Sequence, residues 1–174
     1  MTGKPRAEKP HHPHWQLSVL LFAFVAALAA GSIHESSTWI HIASGARIAA
    51  ERALPSVDSF SYTVAGRPWT TDSWLSDLLF SLIDRRFGPQ GLLALKSIVV
   101  AAGFALLLPL NPASPVLGAA LLTLGAAAAW RGFGETPAIF DFLMLALLFR
   151  LLRPRSAFRW DLVGAVAALI LIWA

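Results

Sequence analysis

The chain is 174 residues long, 56% hydrophobic and only 14% charged, where a soluble domain carries nearer about a quarter charged residues. It has no cysteine and a formal net charge of +4, which excludes disulfides and thiolate metal sites. The basic residues gather at the ends of apolar runs and form no stripe, so nucleic acid is not expected as a partner and the charge reads as membrane topology.

In chain order, residues 1–14 are polar and proline-broken, with Lys4, Arg6 and Lys9 ahead of the His11-His12-Pro13-His14 tract. They read as a disordered cytoplasmic tail. Residues 15–33 hold no charge until His34 and suit a first span, since a bilayer needs about 20 helical residues. A signal peptide cut after Ala27-Leu28-Ala29 is the rival reading.

Residues 34–88 differ in kind. They hold six acids (Glu35, Glu51, Asp58, Asp72, Asp77, Asp84) and five arginines, with no run long enough to span. Two stretches are amphipathic at helical spacing. In Thr38–Arg52, the face Trp39, Ile42, Ala43, Ala46 and Ala50 lies opposite His41, Ser44, Arg47 and Glu51. In Ser73–Phe87, Trp74, Leu75, Leu78, Leu79 and Leu82 lie opposite Asp77, Ser81 and Asp84. Both read as helices at the membrane interface, with Trp39 and Trp74 toward the lipid. Between them, Phe60, Tyr62 and Val64 alternate ahead of Ala65-Gly66-Arg67-Pro68, which predicts a small hairpin or an extended loop.

Residues 89–174 read as the second to fifth spans. Gln90–Leu110 is followed by the break Asn111–Pro115, Val116–Trp130 by the turn Arg131–Thr136, and Pro137–Leu152 by the cluster Arg150, Arg153, Arg155 and Arg159. Trp160–Ala174 reaches only about 22 Å as helix, short of a core of about 30 Å. The sequence therefore reads as the front part of a longer protein. The expected fold is an all-α integral membrane protein of about five transmembrane helices, the last truncated, with an extracytoplasmic first loop holding two interfacial helices. Both basic clusters then fall on one side, which the positive-inside rule makes cytoplasmic.

Several residues are candidates for chemistry. Glu35, at the outer end of the first span beside His34, is placed to act as a general base on an acceptor hydroxyl; a solvated loop glutamate is the plain alternative. His34 and His41 lie seven apart, without the i, i+4 spacing of a zinc-protease pair, so no metal or other cofactor is expected. A divalent metal beside the acids is the one variant. Lys96 and Asp141 lie inside spans, where ionisable residues face a partner or a cavity. One reading is a mutual ion pair. A second is that Lys96 and Arg131 receive an anionic phosphate, and a third is that Lys96 snorkels to the interface. Arg67, in a turn, either meets an anionic group or pairs with Asp58 or Asp72. The topology brings Glu35, Lys96, Arg131, Glu135 and Asp141 to one level at the outer surface.

The run Glu35-Ser36-Ser37-Thr38-Trp39-Ile40-His41-Ile42-Ala43-Ser44-Gly45 precedes Pro55-Ser56-Val57-Asp58-Ser59-Phe60-Ser61-Tyr62-Thr63, then Gly66-Arg67-Pro68-Trp69 and Trp74-Leu75. This order resembles bacterial multi-spanning proteins related to the GT-C membrane glycosyltransferases, over roughly residues 15–110. The resemblance implies transfer of a sugar from a polyprenyl-phosphate donor to an extracytoplasmic acceptor at the bacterial inner membrane. It also implies an acidic catalytic residue in the first outer loop, here Glu35. Ser37 stands where that family has a second acid. Two other functions compete. A non-catalytic membrane module or assembly partner is favoured by Ser37. A transporter would use Lys96 and Asp141 as coupling charges, but would place them nearer the midplane. Sugar, acceptor and oligomeric state are not legible.

Overall fold

The computed structural model describes residues 14–63, 65–110, 114–153 and 160–173. The polar tail before His14, Val64, most of the Asn111 break, Arg155, Arg159 and Ala174 lie outside the described residues. Six α-helices follow in order: α1 (His14–Ala29), α2 (Thr38–Glu51), α3 (Trp74–Leu107), α4 (Pro115–Ala129), α5 (Ala138–Leu152) and α6 (Trp160–Trp173). Short 3-10 turns close α3 at Leu108–Leu110 and α4 at Trp130–Gly132. No strand occurs among the described residues, so the all-helical expectation holds.

α3 is the axis of the fold. It contacts α1, α2 and α5, while α1 also meets α4, and α5 meets α6. The two segments expected on either side of Gly88 are joined in it. Gly88 takes φ 64° and ψ −163°, a left-handed backbone that only glycine adopts without strain. Pro89 follows at the start of the next helical stretch, where its missing N–H costs little. Two helical stretches therefore meet at a kink there, at the boundary the sequence places between them.

The other helices begin and end close to where the sequence places them. Ser114 caps α4 by accepting from Leu117 N at 3.3 Å, with proline in the first turn. α1 is the exception: it stops at Ala29 rather than continuing to Ile33, and Gly31 carries the chain away without helical bonds. Arg153 donates to the Pro109 carbonyl, which ties the end of α5 to the end of α3. One helix among the described residues, together with its closing turn (Trp74–Leu110), is long and apolar enough to cross a membrane. α1, α4, α5 and α6 have 16, 15, 15 and 14 residues.

The core joins Leu21, Val25 and Ala29 of α1 to Phe80, Leu92, Val100, Ala101 and Phe104 of α3, with Ala126, Ile139 and Phe140 from α4 and α5. Phe104 lies against Phe142 and Phe133 at ring-centroid distances of 5.1 and 6.0 Å. The helices keep large apolar side chains on the outside as well: Leu20 and Phe24 on α1, Leu117, Leu121 and Leu124 on α4, Leu145 and Phe149 on α5. An apolar surface all round a helix belongs to a deep core or to a lipid environment.

α2 and the first half of α3 meet through a largely polar junction. The residues buried there are the polar set Thr38, Ser44, Ser76, Asp77 and Ser81, with Gly45, Ile48 and Phe80, whose ring centroid lies 6.3 Å from that of His41. Of the apolar faces, Trp39, Ala43, Ala46 and Ala50 of α2 and Leu82 of α3 are exposed, while Ile42, Leu75, Leu78 and Leu79 are half-buried. Small residues set the spacing. A Cβ on Gly45 would lie 1.9 Å from the Asp77 carbonyl oxygen, so the two backbones meet where only glycine fits.

The connection between α2 and α3 folds back on itself. Asp58 N donates to Arg67 O and Gly66 N to Asp58 O, both at 2.8 Å, and Trp69 N donates to Ser56 O at 2.9 Å. This is the small hairpin read from the turn residues, with Gly66 at φ 81°. The Asp58 carboxylate closes it by accepting from Phe60 N at 2.8 Å and Ser61 N at 2.9 Å. The Ser61 hydroxyl and N–H, then the Phe60 N–H, hold the Asp58 carboxyl below the usual carboxylate range, against a smaller opposing effect of burial.

Candidate functional site

A cleft of about 360 Å³ opens where the end of α1, the middle of α3 and the turn between α4 and α5 meet. Its walls include Gly31, Ser32, His34, Glu35, Lys96, Trp130, Arg131 and Gly134. It exists because α1 ends early: the non-helical stretch after Ala29 passes over Lys96, whose ammonium donates to the Gly31 carbonyl at 3.4 Å. Glu35 enters the cleft against the backbone of Gly134, where a Cβ would stand 2.6 Å from Glu35 Cγ. Any larger residue at position 134 would push the carboxylate out.

Lys96 is buried and paired with Glu135, with Nζ 2.5 Å from Oε1. The side chains are only 4% and 2% exposed, so the pair is almost wholly buried at the cleft wall. Thr38 Oγ1 donates to the Glu135 backbone carbonyl at 3.0 Å, which draws the start of α2 into the same junction. The second carboxylate oxygen of Glu135 is buried with no hydrogen-bond partner among the described residues. A lysine ammonium has three donors, and Glu135 and Gly31 take two, which leaves one for a ligand. Arg131 is exposed at the rim, its guanidinium carbon 5.4 Å from the Trp130 ring centroid. Ser32 and His34 share a hydrogen bond of 3.1 Å on the opposite rim.

Four of the five ionisable residues expected to converge therefore do so: Glu35, Lys96 and Arg131 line the cleft, and Glu135 adjoins it through Lys96. Asp141 does not. It is exposed on α5, and the expected Lys96–Asp141 pair is replaced by Lys96–Glu135. The physical reason is reach. Glu135 precedes α5 in a turn that folds back over α3, whereas Asp141 sits beyond the start of α5, on the flank away from the buried Ile139 and Phe140.

His41 lies outside the cleft. Its Nδ1 is 2.8 Å from Asp77 Oδ1, which also accepts from Ser73 Oγ at 3.1 Å. An ionised carboxylate only accepts, so the proton lies on Nδ1. This pair joins α2 to α3. Arg67 is exposed in the hairpin, bonded through its backbone to Asp58. Sequence reasoning did not anticipate Thr38, Gly31 or Gly134, which act through a hydroxyl, a carbonyl and a missing side chain. Among the described residues no three acids or histidines gather to hold a metal ion.

No family model matches the chain, and no curated protein or solved structure matches it.

Proposed function

We propose that the chain is a membrane-embedded glycosyltransferase-like protein of the bacterial inner membrane, working on its outer side with a polyprenyl-phosphate-linked sugar as donor. The observation that carries this reading is the single cleft that gathers one exposed carboxylate, Glu35, with two cations, Lys96 and Arg131. Glu35 takes the proton of the acceptor hydroxyl. The acceptor oxygen then bonds to the anomeric carbon, and the bond from that carbon to the carrier phosphate breaks. The electron pair leaves with the phosphate, which Arg131 and the third N–H of Lys96 receive. His34 lies at the mouth, within reach of the sugar hydroxyls.

The membrane placement is supported by the apolar outer surfaces of α1, α4 and α5 and by the polar junction between α2 and α3. On this reading the tail before α1 is cytoplasmic, the segment 34–88 is outside, and the chain crosses the bilayer about five times.

The test is sugar transfer in membranes carrying the full-length protein. Glu35→Gln is expected to abolish transfer with expression unchanged, and normal transfer by that variant excludes Glu35 as the base. One observation favours a second reading, a non-catalytic membrane module. The Lys96–Glu135 pair holds α3 to the 132–137 turn whether or not a ligand is present. Under that reading Glu35→Gln changes nothing that depends on sugar.

A further inference from the structure

Away from the cleft, an apolar groove runs along the outer side of the α2/α3 junction. Two adjoining hollows of about 330 and 380 Å³ share Ala49 and Leu78. One continues to Leu82 and Arg85, the other to Trp74 and Arg52. Trp74 and Arg85 are eleven positions apart on a helix, so the groove is about 16 Å long at 1.5 Å per residue. Its floor is aliphatic, and each end carries a guanidinium. Arg52 and Arg85 are exposed and have no acidic partner among the described residues, whereas Arg47 is bonded to Glu51 at 2.8 Å.

We propose that this groove binds an anionic phospholipid of the outer leaflet, one acyl chain lying along Leu78 and Leu82 and the phosphate held at Arg85. The proposal rests on the membrane placement given above. Charge complementarity selects the occupant. Arg85 and Arg86 stand together just before the Gly88 kink, both exposed and with no acidic partner among the described residues. A peptide helix in the groove would need an acidic end facing Arg85 and is the less economical occupant at a lipid surface.

Trp74 lies in the groove and reports on it. The full chain is reconstituted in vesicles in which brominated phosphatidylglycerol or brominated phosphatidylcholine is diluted into unbrominated phosphatidylcholine. Trp74 quenching is obtained by difference against Trp74→Phe. Half-maximal quenching is expected at about fivefold lower mole fraction of the anionic lipid, the preference one arginine confers near a surface. Arg85→Glu is expected to abolish that preference while Trp74 remains quenched, and Arg85→Gln to reduce it if the glutamate variant does not fold. Equal quenching by the two lipids in the unaltered chain overturns the proposal, as does a preference that survives both Arg85 substitutions. Absence of Trp74 quenching in either lipid overturns it too, together with the interfacial placement of α2 and α3. Sugar transfer is not read in this experiment, so it fails or succeeds independently of the role given to Glu35.

Discussion

The α1–α3–α5 core and the α2–α3 junction are built on opposite rules. In the core, Leu21, Val25, Val100, Phe104 and Phe140 interlock without a polar group. At the junction, Thr38, Ser44, Ser76, Asp77 and Ser81 are buried beside Ile48 and Phe80, while Leu82 faces out. In water the second arrangement would be costly, because apolar burial stabilises by about 25 cal/mol per Å² and is forgone there. In lipid the outward leucine costs nothing, and helix association depends on close backbone approach and interhelical hydrogen bonds. The difference teaches that side-chain polarity alone does not say which face of these helices is inside. Close approach does: the junction brings Gly45 and small polar side chains together, whereas the core is mainly branched and aromatic.

The comparison is tested most severely where a charge lies between the two regions. Replacing Glu135 with alanine leaves the Lys96 ammonium buried without its carboxylate, and about 3–5 kcal/mol of stability is expected to be lost. Thermal unfolding in detergent reads it directly. The paired change Lys96→Met with Glu135→Leu is expected to restore most of the loss, since a buried pair replaced by apolar residues is often neutral. Should the single and the paired changes cost the same, the pair is not what binds α3 to the 132–137 turn.

A smaller effect is expected at the junction itself. Gly45→Ala places a methyl on the Asp77 carbonyl and forces α2 away from α3, at a cost of about 1–3 kcal/mol. The same substitution at Gly125, where a Cβ would meet nothing within 4 Å, should be neutral or slightly stabilising. Limited proteolysis between α2 and α3 distinguishes the two variants, and equal resistance would show that close approach at Gly45 does not hold the junction.

The smallest effect belongs to the hairpin. The Asp58 carboxyl is held below its ordinary value of 3.8, so the ionised form favours the folded hairpin. That contribution is present above the unfolded value and is lost as pH falls through the lower, folded one. Amide exchange at Phe60 and Ser61 is expected to quicken below about pH 4 relative to its intrinsic rate, and Asp58→Asn should remove this dependence. Exchange that follows the intrinsic rate across the range would disconnect the carboxylate from the turn.

The helical elements were legible because apolar runs, Pro89, Ser114 and Pro137 mark ends by local chemistry. The grouping of Glu35, Lys96 and Arg131 was legible because it follows from chain level alone. The partner of Lys96 was not, since Glu135 and Asp141 lie at similar depth and only the path of the 132–137 turn chooses between them. The inward face of α2 was hidden for another reason. Periodicity separates polar from apolar, but it does not say which side meets a neighbouring helix when the surroundings are themselves apolar.

The bend at Gly88 makes the helix that follows it a ruler. Lys96 stands eight positions beyond the bend, so its height is set at about 12 Å from the elbow by helix rise alone. One residue inserted between Gly88 and Lys96 would move the ammonium by about 1.5 Å and swing it about 100° around the helix axis. It would then face away from Glu135 and the Gly31 carbonyl, and residue 95 would take its place in the wall of the cleft. The interval from Gly88 to Lys96 should therefore tolerate changes of identity on its outward face and none of length, a constraint that the composition of the segment does not reveal.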